Sequence, residues 1–210
     1  MSHADPFPSS DFDPWADTYD SDVAAQTTFP FAGYKQALEA VIKLALPAPD
    51  MSVLDIGTGT GNLALRFAAS GCKLWCTDFS EAMLAKAREK IPNAHFVLHN
   101  LRAAWPHELD RRFDRIVSAY VFHHFELDRK VELCKELAGR HLARGGKLII
   151  ADLSFPNKGR MDAFAESIGG LWELEPYWLA DESVEALSTA GLKADYLQVS
   201  ACARIYNIST

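Results

Sequence analysis

The feature that most constrains this chain is a glycine-rich turn between a short apolar run and an apparent helix. The run Ser52 to Ile56 predicts a buried strand, and it passes into the turn Asp55-Ile56-Gly57-Thr58-Gly59-Thr60-Gly61. Glycines at alternate positions allow positive φ and let the backbone approach a ligand closely. A strand that passes through such a turn into a helix is typical of open α/β sheets, which bind ligands beyond the carboxyl ends of their strands.

Strand and helix patterns alternate along the rest of the chain. Apolar strands are predicted near 74–78, 95–99, 113–119 and 147–152, and helices near 29–46, 60–70, 81–90, 128–142 and 181–189. Continuously apolar strands in this alternation predict a doubly wound, Rossmann-like α/β sheet that is mostly parallel. Two last strands, near 192–199 and 201–208, are too close in sequence for a crossover helix. They are expected to form an antiparallel hairpin that completes a seven-stranded sheet.

The length of 210 residues fits one domain, which we expect over residues 29–210. Residues 1–28 are expected to precede it as a separate segment, and residues 1–13 predict a flexible tail because they are acidic and interrupted by prolines. The composition is 49% apolar and 23% charged, which is enough to bury a sizeable core. The sequence therefore predicts one globular unit with a short N-terminal extension.

Charge and hydropathy exclude several partners. The net charge is -7 and no dense run of Lys and Arg occurs, so nucleic acid is not expected as a partner. No apolar run approaches the roughly 20 residues that span a bilayer, and the N-terminus lacks the pattern of a signal peptide. We therefore expect a cytoplasmic protein, a monomer or homodimer, that does not associate with membranes.

The four cysteines fit a reducing compartment. Cys72 and Cys76 lie four residues apart on one apparent strand, so their side chains share a face and suggest a metal pair. No second cysteine pair or histidine spacing completes a zinc site. Buried, unpaired thiols are the favoured interpretation, and no metal is expected.

The residues around the turn indicate its ligand. Asp78 ends the next strand, 21 residues after Gly57, where a carboxylate can accept hydrogen bonds from both hydroxyls of a ribose. Dinucleotides require Gly-x-Gly-x-x-Gly and place a pyrophosphate on the helix, whereas this turn is Gly-x-Gly-x-Gly with Asp55 beside it. An extra carboxylate disfavours pyrophosphate but suits the ammonium of S-adenosylmethionine (SAM), so we expect SAM as the cofactor. A purely structural turn without a ligand is the alternative.

With these motifs the sequence resembles the class I SAM-dependent methyltransferases, over nearly its whole length. Val53 to Asp78 carries the most specific motifs, and Phe113 to Phe125 (FDRIVSAYVFHHF) resembles the fourth-strand motif of the small-molecule branch. The opening WADTYD at 15–20 and the closing helix and hairpin look most like the small YrrT-type methyltransferases. The resemblance implies methyl transfer from SAM to a small-molecule acceptor, with S-adenosylhomocysteine (SAH) as the product.

The resemblance also implies cofactor contacts. It places Gly57, Thr58 and Gly59 on the methionyl side and Asp78 on the ribose, with Phe79 against the adenine. Asn100 stands where the family usually has Asp, although its carbonyl oxygen is also an acceptor. Residues expected to complete the contacts are Tyr19, which would fold over the cofactor from the N-terminal segment, together with Asp55, Asn62, Met83, Leu101, Ser118, Ala119 and Tyr120.

Methyl transfer is an in-line displacement from an excellent leaving group, so positioning and desolvation are expected to be the main contributions of the protein. His123 and His124 follow the fourth strand near the expected methyl group. Adjacent side chains diverge, so only one is expected to face the cleft, and His123 is the catalytic candidate as a general base. The alternative is a histidine that hydrogen-bonds backbone at the junction. Asp152 is a second candidate, with a solvent-facing carboxylate as its alternative.

The stretch 155–179 is irregular and rich in large apolar residues. It is expected to cap the acceptor site, with a helix packed on the sheet as an equally weighted alternative. The turn after the fourth strand lacks the Asn/Asp-Pro-Pro-aromatic motif of base-amine methylation, and no cysteine adjoins the proline that cytosine methylation requires. Two competing functions stay open, which are a non-catalytic SAM/SAH-binding module and, with less support, a nicotinamide-dependent oxidoreductase.

Overall fold

The computed structural model describes residues 10, 12–25 and 27–210. The strands of the main sheet in these residues are β1 (Ser52–Ile56), β2 (Lys73–Asp78), β3 (His95–Leu98), β4 (Phe113–Ala119), β5 (Leu142–Phe155), β7 (Lys193–Gln198) and β8 (Ala203–Ser209). Their order across the sheet is β3-β2-β1-β4-β5-β8-β7, and the two-residue β6 (Trp178–Leu179) pairs with the end of β5. Strands β1 to β5 are parallel, while β8 runs antiparallel to both β5 and β7. The predicted Rossmann-like sheet with a C-terminal hairpin is confirmed.

Seven α-helices are described between and before these strands. They are α1 (Tyr19–Ala25), α2 (Tyr34–Ala45), α3 (Ala64–Ala68), α4 (Glu81–Lys90), α5 (Leu127–Glu136), α6 (Lys158–Ile168) and α7 (Ala180–Thr189). A 3-10 turn, Asp13–Asp17, precedes α1, and most of the tail predicted at 1–13 lies outside the described residues. None of the helices in the described part of the chain is long and apolar enough to cross a bilayer.

Two helices begin later than the sequence predicts. The helix predicted at 29–46 begins at Tyr34, because Gly33 lies just before it with a left-handed φ of 87°. The helix predicted at 60–70 begins only at Ala64, because the positive φ of Gly59 and Gly61 extends the preceding turn. In both places a glycine outside the right-handed region delays helix entry, which apolar periodicity cannot reveal.

Alternate residues of each strand pack into two apolar layers, one on each face of the sheet. Val53, Val117 and Ile149 join the layer that contains α2 and α3. Leu54 and Ile150 belong to the opposite layer, which contains α5 and α7. Each fully buried aliphatic side chain stabilises the fold by about 1.5–3 kcal/mol. Because apolar layers cover both faces of the sheet, consecutive residues of its strands are apolar.

The order of strands places a crevice at the site of the glycine turn. The chain leaves β1 toward β2 on one side, and β4 later pairs with the other side of β1. Neighbouring connections therefore diverge at the carboxyl ends of β1 and β4, which is where open α/β sheets bind ligands. The glycine turn follows β1 and the two histidines follow β4, so both predicted motifs meet at this crevice.

Candidate active site

The glycine turn has the backbone geometry that the sequence predicts. Gly57, Gly59 and Gly61 have φ values of 64°, 53° and 87°. A Cβ added at Gly57 would lie 2.2 Å from Val121 Cγ2, so the close approach of the β4 loop requires glycine there. A Cβ at Gly59 would meet nothing within 4 Å, which leaves this backbone open to the crevice. Gly57 therefore serves packing, and Gly59 leaves space for a ligand.

Asp78 lies at the centre of the crevice. Its Oδ2 accepts a hydrogen bond from Gly59 N at 2.8 Å, and its Oδ1 accepts one from Ser80 N at 2.9 Å. Burial raises the pKa of Asp78 to about 6, despite these backbone hydrogen bonds. A third backbone hydrogen bond comes from Phe79, and since a carboxylate offers about four lone-pair sites, Asp78 can still accept a hydroxyl donor from a ligand. Ser80 is the N-cap of α4, as predicted, with Oγ accepting from Met83 N at 3.1 Å.

A single cavity of about 390 Å³ connects the glycine turn to the end of β4. Predicted cofactor contacts that line it are Tyr19, Gly57, Gly59, Asp78, Phe79, Met83, Asn100, Leu101, Ala119 and Tyr120. The Asn100 side-chain oxygen accepts a hydrogen bond from Arg102 N at 2.9 Å, which fixes the side chain at the cavity wall. Most of the predicted contacts are thus brought to one cavity.

Asp55 and Thr58 are not among the described residues that line the cavity. Asp55 is buried beneath the turn and its Oδ2 accepts the Thr58 hydroxyl at 2.8 Å. Burial raises the pKa of Asp55 to about 7, although the Thr58 hydrogen bond opposes this rise. The prediction that Asp55 contacts the cofactor directly is therefore not supported, because its side chain holds the turn from below.

Asn62 and Ser118 also lie outside the cavity lining. Asn62 donates to Asp20 at 2.9 Å and accepts from Lys90 at 2.9 Å, which ties the turn to the N-terminal segment. Ser118 is fully buried and donates to the carbonyl of Ile56 at 2.8 Å, which joins β4 to β1. Both residues support neighbours of the cavity and are not among its described lining residues, so their predicted contact with the ligand is not supported.

The N-terminal segment covers one side of the cavity with Phe12, Trp15 and Tyr19. Asp20 anchors it, since its carboxylate lies 2.6 Å from the Thr60 hydroxyl and 2.5 Å from Lys90 Nζ. A second anchor joins Asp13 Oδ1 to the Ser80 hydroxyl at 2.5 Å. The prediction that Tyr19 folds over the glycine crevice agrees with this arrangement.

His123 and Asp152 form a buried pair at the other end of the cavity. His123 Nδ1 donates to Asp152 Oδ1 at 2.5 Å, and His123 N donates to Oδ2 at 2.9 Å. Burial lowers the pKa of His123, but the charge and hydrogen bond of Asp152 outweigh it, so the pKa lies above the ordinary imidazole value. Because Nδ1 is used by the carboxylate, Nε2 is the nitrogen available for chemistry in the cavity.

Asp152 has 0% exposure, so the alternative of a solvent-facing carboxylate is wrong. Its two remaining donors are Trp178 Nε1 at 3.1 Å and Leu153 N at 2.8 Å. The His123 ring bonds this carboxylate, so the alternative of a histidine bound to backbone is also wrong. Asp152 holds and orients the ring, and it is not among the described residues that line the cavity.

His124 also lines the cavity, so the prediction that only one histidine faces it is wrong. The two residues belong to a 3-10 turn, Phe122–His124, in which their ring centroids are 4.1 Å apart. Glu175 lies beside both rings, with Oε2 at 3.3 Å from His124 Nδ1 and 3.5 Å from His123 Nε2. Burial lowers the pKa of His124, whereas the charge and hydrogen bond of Asp152 raise the pKa of His123.

The side chains of His123, His124 and Glu175 each offer one possible metal-ligating atom, and these atoms lie within 4.8 Å of one another. Asp152 and Glu175 face both His123 and the buried Lys130, so the lysine compensates part of their negative charge. Asp152 already engages His123 Nδ1, and Glu175 Oε2 lies beside both rings, so these contacts hold the group together without an ion. Among the described residues no cysteine belongs to a metal-ligating group, and the four thiols are unpaired.

The stretch 155–179 contributes both a helix and part of the cavity wall. Helix α6 buries none of its residues, while Glu173, Glu175 and Tyr177 line the cavity. Trp172 stacks on Phe29 with ring centroids 5.5 Å apart. The stretch thus packs on the fold through its aromatic residues and closes the histidine end with residues 173–177.

Sequence reasoning missed several cavity residues. Phe12, Phe29 and Phe31 come from the N-terminal part of the chain, and Glu175 lies about fifty residues beyond the histidines it contacts. No spacing or periodicity links such distant positions. The density of aromatic residues at 155–179 was the available signal, and it indicated the segment but not its acidic residue.

Comparisons with known proteins agree with this geometry. A family profile described as "Methyltransferase domain" matches residues 53–146. An uncharacterized methyltransferase of Bacillus cytotoxicus is 34% identical over 162 residues, which cover 74% of this chain and 72% of that protein. Another, from Bacillus mycoides, is 33% identical over 160 residues, with the same coverage of 74% and 72%.

Solved structures show the same fold at low identity. The complex of DhpI with SAM and HEP superposes with a TM-score of 0.74 at 19% identity, and the match covers 100% of both chains. Magnesium protoporphyrin IX methyltransferase from Synechocystis PCC 6803, with bound SAH, has a TM-score of 0.71 at 18% identity and covers 96% of this chain and 99% of that one. The fold and crevice therefore define a Rossmann-like methyltransferase domain. The chain belongs to the class I SAM-dependent methyltransferase family, with SAM as its cofactor. Its YrrT-type resemblance stays a prediction.

Proposed function

We propose that this protein transfers the methyl group of SAM to a small molecule whose attacking atom carries a dissociable proton. One observation carries the proposal, which is that a single cavity joins the glycine turn and Asp78 to the His123–Asp152 pair. The volume of about 390 Å³ lies in the range of small-molecule sites. The N-terminal segment and residues 173–177 cover this cavity, which favours a small acceptor over a macromolecule.

The cofactor has a defined orientation in this proposal. Asp78 accepts the ribose hydroxyls, Phe79 and Met83 flank the adenine with Asn100 and Leu101, and Gly57 and Gly59 face the methionyl group. Tyr120 lies at the methyl end, in a positive-φ conformation of 59°. Its buried hydroxyl has no hydrogen-bond partner in the described part of the chain, so it is available to the ligand. Strained backbone beside a buried, unsatisfied hydroxyl is typical of a functional site.

His123 acts as the general base in this proposal. Asp152 holds Nδ1–H, so Nε2 accepts the proton of the attacking atom as that atom displaces SAH from the methyl carbon. The charge of Asp152 stabilises the imidazolium that forms. Because SAM already provides the leaving group, the remaining contribution of the protein is to exclude water and to align acceptor, methyl carbon and sulfur.

Neighbouring structures support a small acceptor only by analogy. One similar protein was solved with SAM and HEP together, and another is described by a small-molecule substrate, magnesium protoporphyrin IX. Neither shares more than 19% identity with this chain, so the acceptor itself is not inferred from them. The buried His123–Asp152 pair disfavours a module that only binds SAM, because such a module would need no base.

Two measurements test the proposal. Calorimetry should show binding of SAM and SAH but not NAD, and Asp78→Ala should weaken SAM about tenfold or more, since each hydrogen bond to a carboxylate contributes about 1.5–3 kcal/mol. With an acceptor in hand, His123→Ala should lower turnover about 100-fold or more. The exposed His107 provides a matched control, and His107→Ala should retain turnover. Equal turnover in both variants would remove the base from the mechanism.

A further inference from the structure

A buried lysine lies behind the His123–Asp152 pair. Lys130, in α5, is 1% exposed and is not among the described residues that line the cavity. Its Nζ donates to the carbonyl of Pro176 and lies 4.9 Å from the centre of the Trp178 ring. The sequence analysis assigns no role to this residue, and the proposed mechanism does not use it.

An ammonium group in such a place is costly unless opposite charge compensates it. Burial lowers the pKa of Lys130 to about 8, and the opposing negative charges come from Asp152, Glu126 and Glu175. Asp152 and Glu175 face His123 as well. The charges of the same two carboxylates thus act on both Lys130 and His123.

Two physical routes connect Lys130 to the His123 ring. The first passes through Trp178, whose face lies under the ammonium and whose Nε1 donates to Asp152 Oδ2 at 3.1 Å. The second passes along the backbone, because Pro176 follows Glu175 directly and Glu175 Oε2 lies 3.5 Å from His123 Nε2. A change at Lys130 would therefore alter both the charge around the ring and the placement of Glu175.

We propose that Lys130 is a positioning residue that sets the proton affinity of His123 and anchors the Glu175 segment. Two carboxylates and one ammonium leave one negative charge around the ring, so the cluster binds one proton. Without Lys130 the ring faces two negative charges and holds that proton more tightly. Because a general base must be unprotonated to act, the lysine keeps His123 usable near neutral pH. This inference rests on the proposed base role of His123.

The charged groups around His123 are consistent with this role. Asp152 faces the ring from β5, Glu175 from the segment before β6, and His124 from the same 3-10 turn, while Lys130 approaches from α5. Asp152 and Glu175 raise the pKa of His123, whereas burial and Lys130 lower it. Removal of the lysine charge should therefore move the titration of His123 to higher pH.

The test is an NMR titration of the imidazole Cε1–Hε1 signal of His123 in protein without cofactor or acceptor. Lys130→Met, which keeps the length of the side chain without its charge, should raise the midpoint of the His123 titration. Lys135→Met is the matched control, because Lys135 is exposed on the same helix and should leave the midpoint unchanged. An unshifted midpoint in Lys130→Met, or an equal shift in the control, would overturn the proposal.

Lys130→Arg provides a second comparison that does not depend on the folding of the Met variant. In the native protein, loss of the Lys130 proton near pH 8 should add a second inflection to the His123 signal. Arginine does not titrate in this range, so the second inflection should disappear in Lys130→Arg. A native signal with only one inflection would contradict the coupling. Neither titration involves turnover, so loss or retention of activity in His123→Ala tests the proposed function separately.

Discussion

Replacement of Asp152 by asparagine is the perturbation that probes the proposed mechanism most deeply. In the native protein the carboxylate accepts four hydrogen bonds, from the His123 ring and backbone, from Trp178 Nε1 and from Leu153 N. Asparagine has one acceptor oxygen, and its NH2 group would face two of these donors. The variant also removes the negative charge that stabilises imidazolium at His123 and compensates Lys130.

The expected cost follows from these contacts. Each buried donor that loses its acceptor costs about 1–3 kcal/mol, and removal of one member of a buried ion pair costs about 3–5 kcal/mol. These two effects overlap, so Asp152→Asn should lower the free energy of unfolding by about 4 kcal/mol. Turnover should fall about 100-fold or more, because His123 loses both its orientation and its charge partner. SAM affinity should stay within about twofold, since Asp152 is not among the described residues that line the cavity.

Urea unfolding, calorimetry with SAM and turnover measured on one preparation would test these three effects together. The exposed Asp195 on β7 supplies the control, and Asp195→Asn should change none of them measurably. If Asp152→Asn kept native stability and turnover, the buried pair would have no role in folding or catalysis. If instead SAM affinity collapsed along with turnover, the separation of the cofactor end from the histidine end would be wrong.

Three further predictions follow from other parts of the site. Gly57→Ala should abolish SAM binding and lower the free energy of unfolding by about 2 kcal/mol or more, because its Cβ would lie 2.2 Å from Val121 Cγ2. The Cβ of Gly59→Ala would meet no neighbour, so this variant should lose only about 1–2 kcal/mol through backbone strain. Thermal unfolding of both variants checks the difference. Asp20→Ala releases Thr60 and Lys90 from the N-terminal segment, so stopped-flow measurements should show faster release of SAM with little change in its association rate. The pKa of His123 is raised in the folded protein, so turnover should increase with pH through a midpoint above the ordinary imidazole value of 6.5. The protonated ring should stabilise the fold below pH 6.5, and this stability should be lost as the pH rises through that midpoint. A turnover midpoint below 6.5 would contradict the assignment.

The parts of the fold that the sequence predicts are those encoded locally. Val53, Leu54 and Ile150 lie in strands buried on both faces, and such strands have continuous apolar runs that need no knowledge of their partners. Gly57 and Asp78 can also be predicted from local sequence, because one helix and one strand separate the glycine turn from the end of the next strand.

The remaining parts depend on contacts between distant segments. The sequence leaves open a solvent-facing carboxylate at Asp152, because nothing near β5 shows that Trp178 and the His123 ring contact it. Glu175 and Lys130 could not be identified, since each is an ordinary charged residue until tertiary packing buries it beside the opposite charge. The burial of Asp55 beneath the turn depends on distant packing in the same way, since the motif does not show which side chains line the cavity.

The measurement that tests the central claim most directly is methyl transfer from SAM carrying a ¹³C-labelled methyl group into a fractionated cell extract. The proposal predicts that the label enters a small molecule, that SAH forms in equal amount, and that both products fall strongly in Asp78→Ala and in His123→Ala. Label recovered in protein or nucleic acid would contradict the small-molecule acceptor. If the folded protein binds SAM but no fraction of the extract yields a labelled product, the protein would instead be a module that only binds the cofactor.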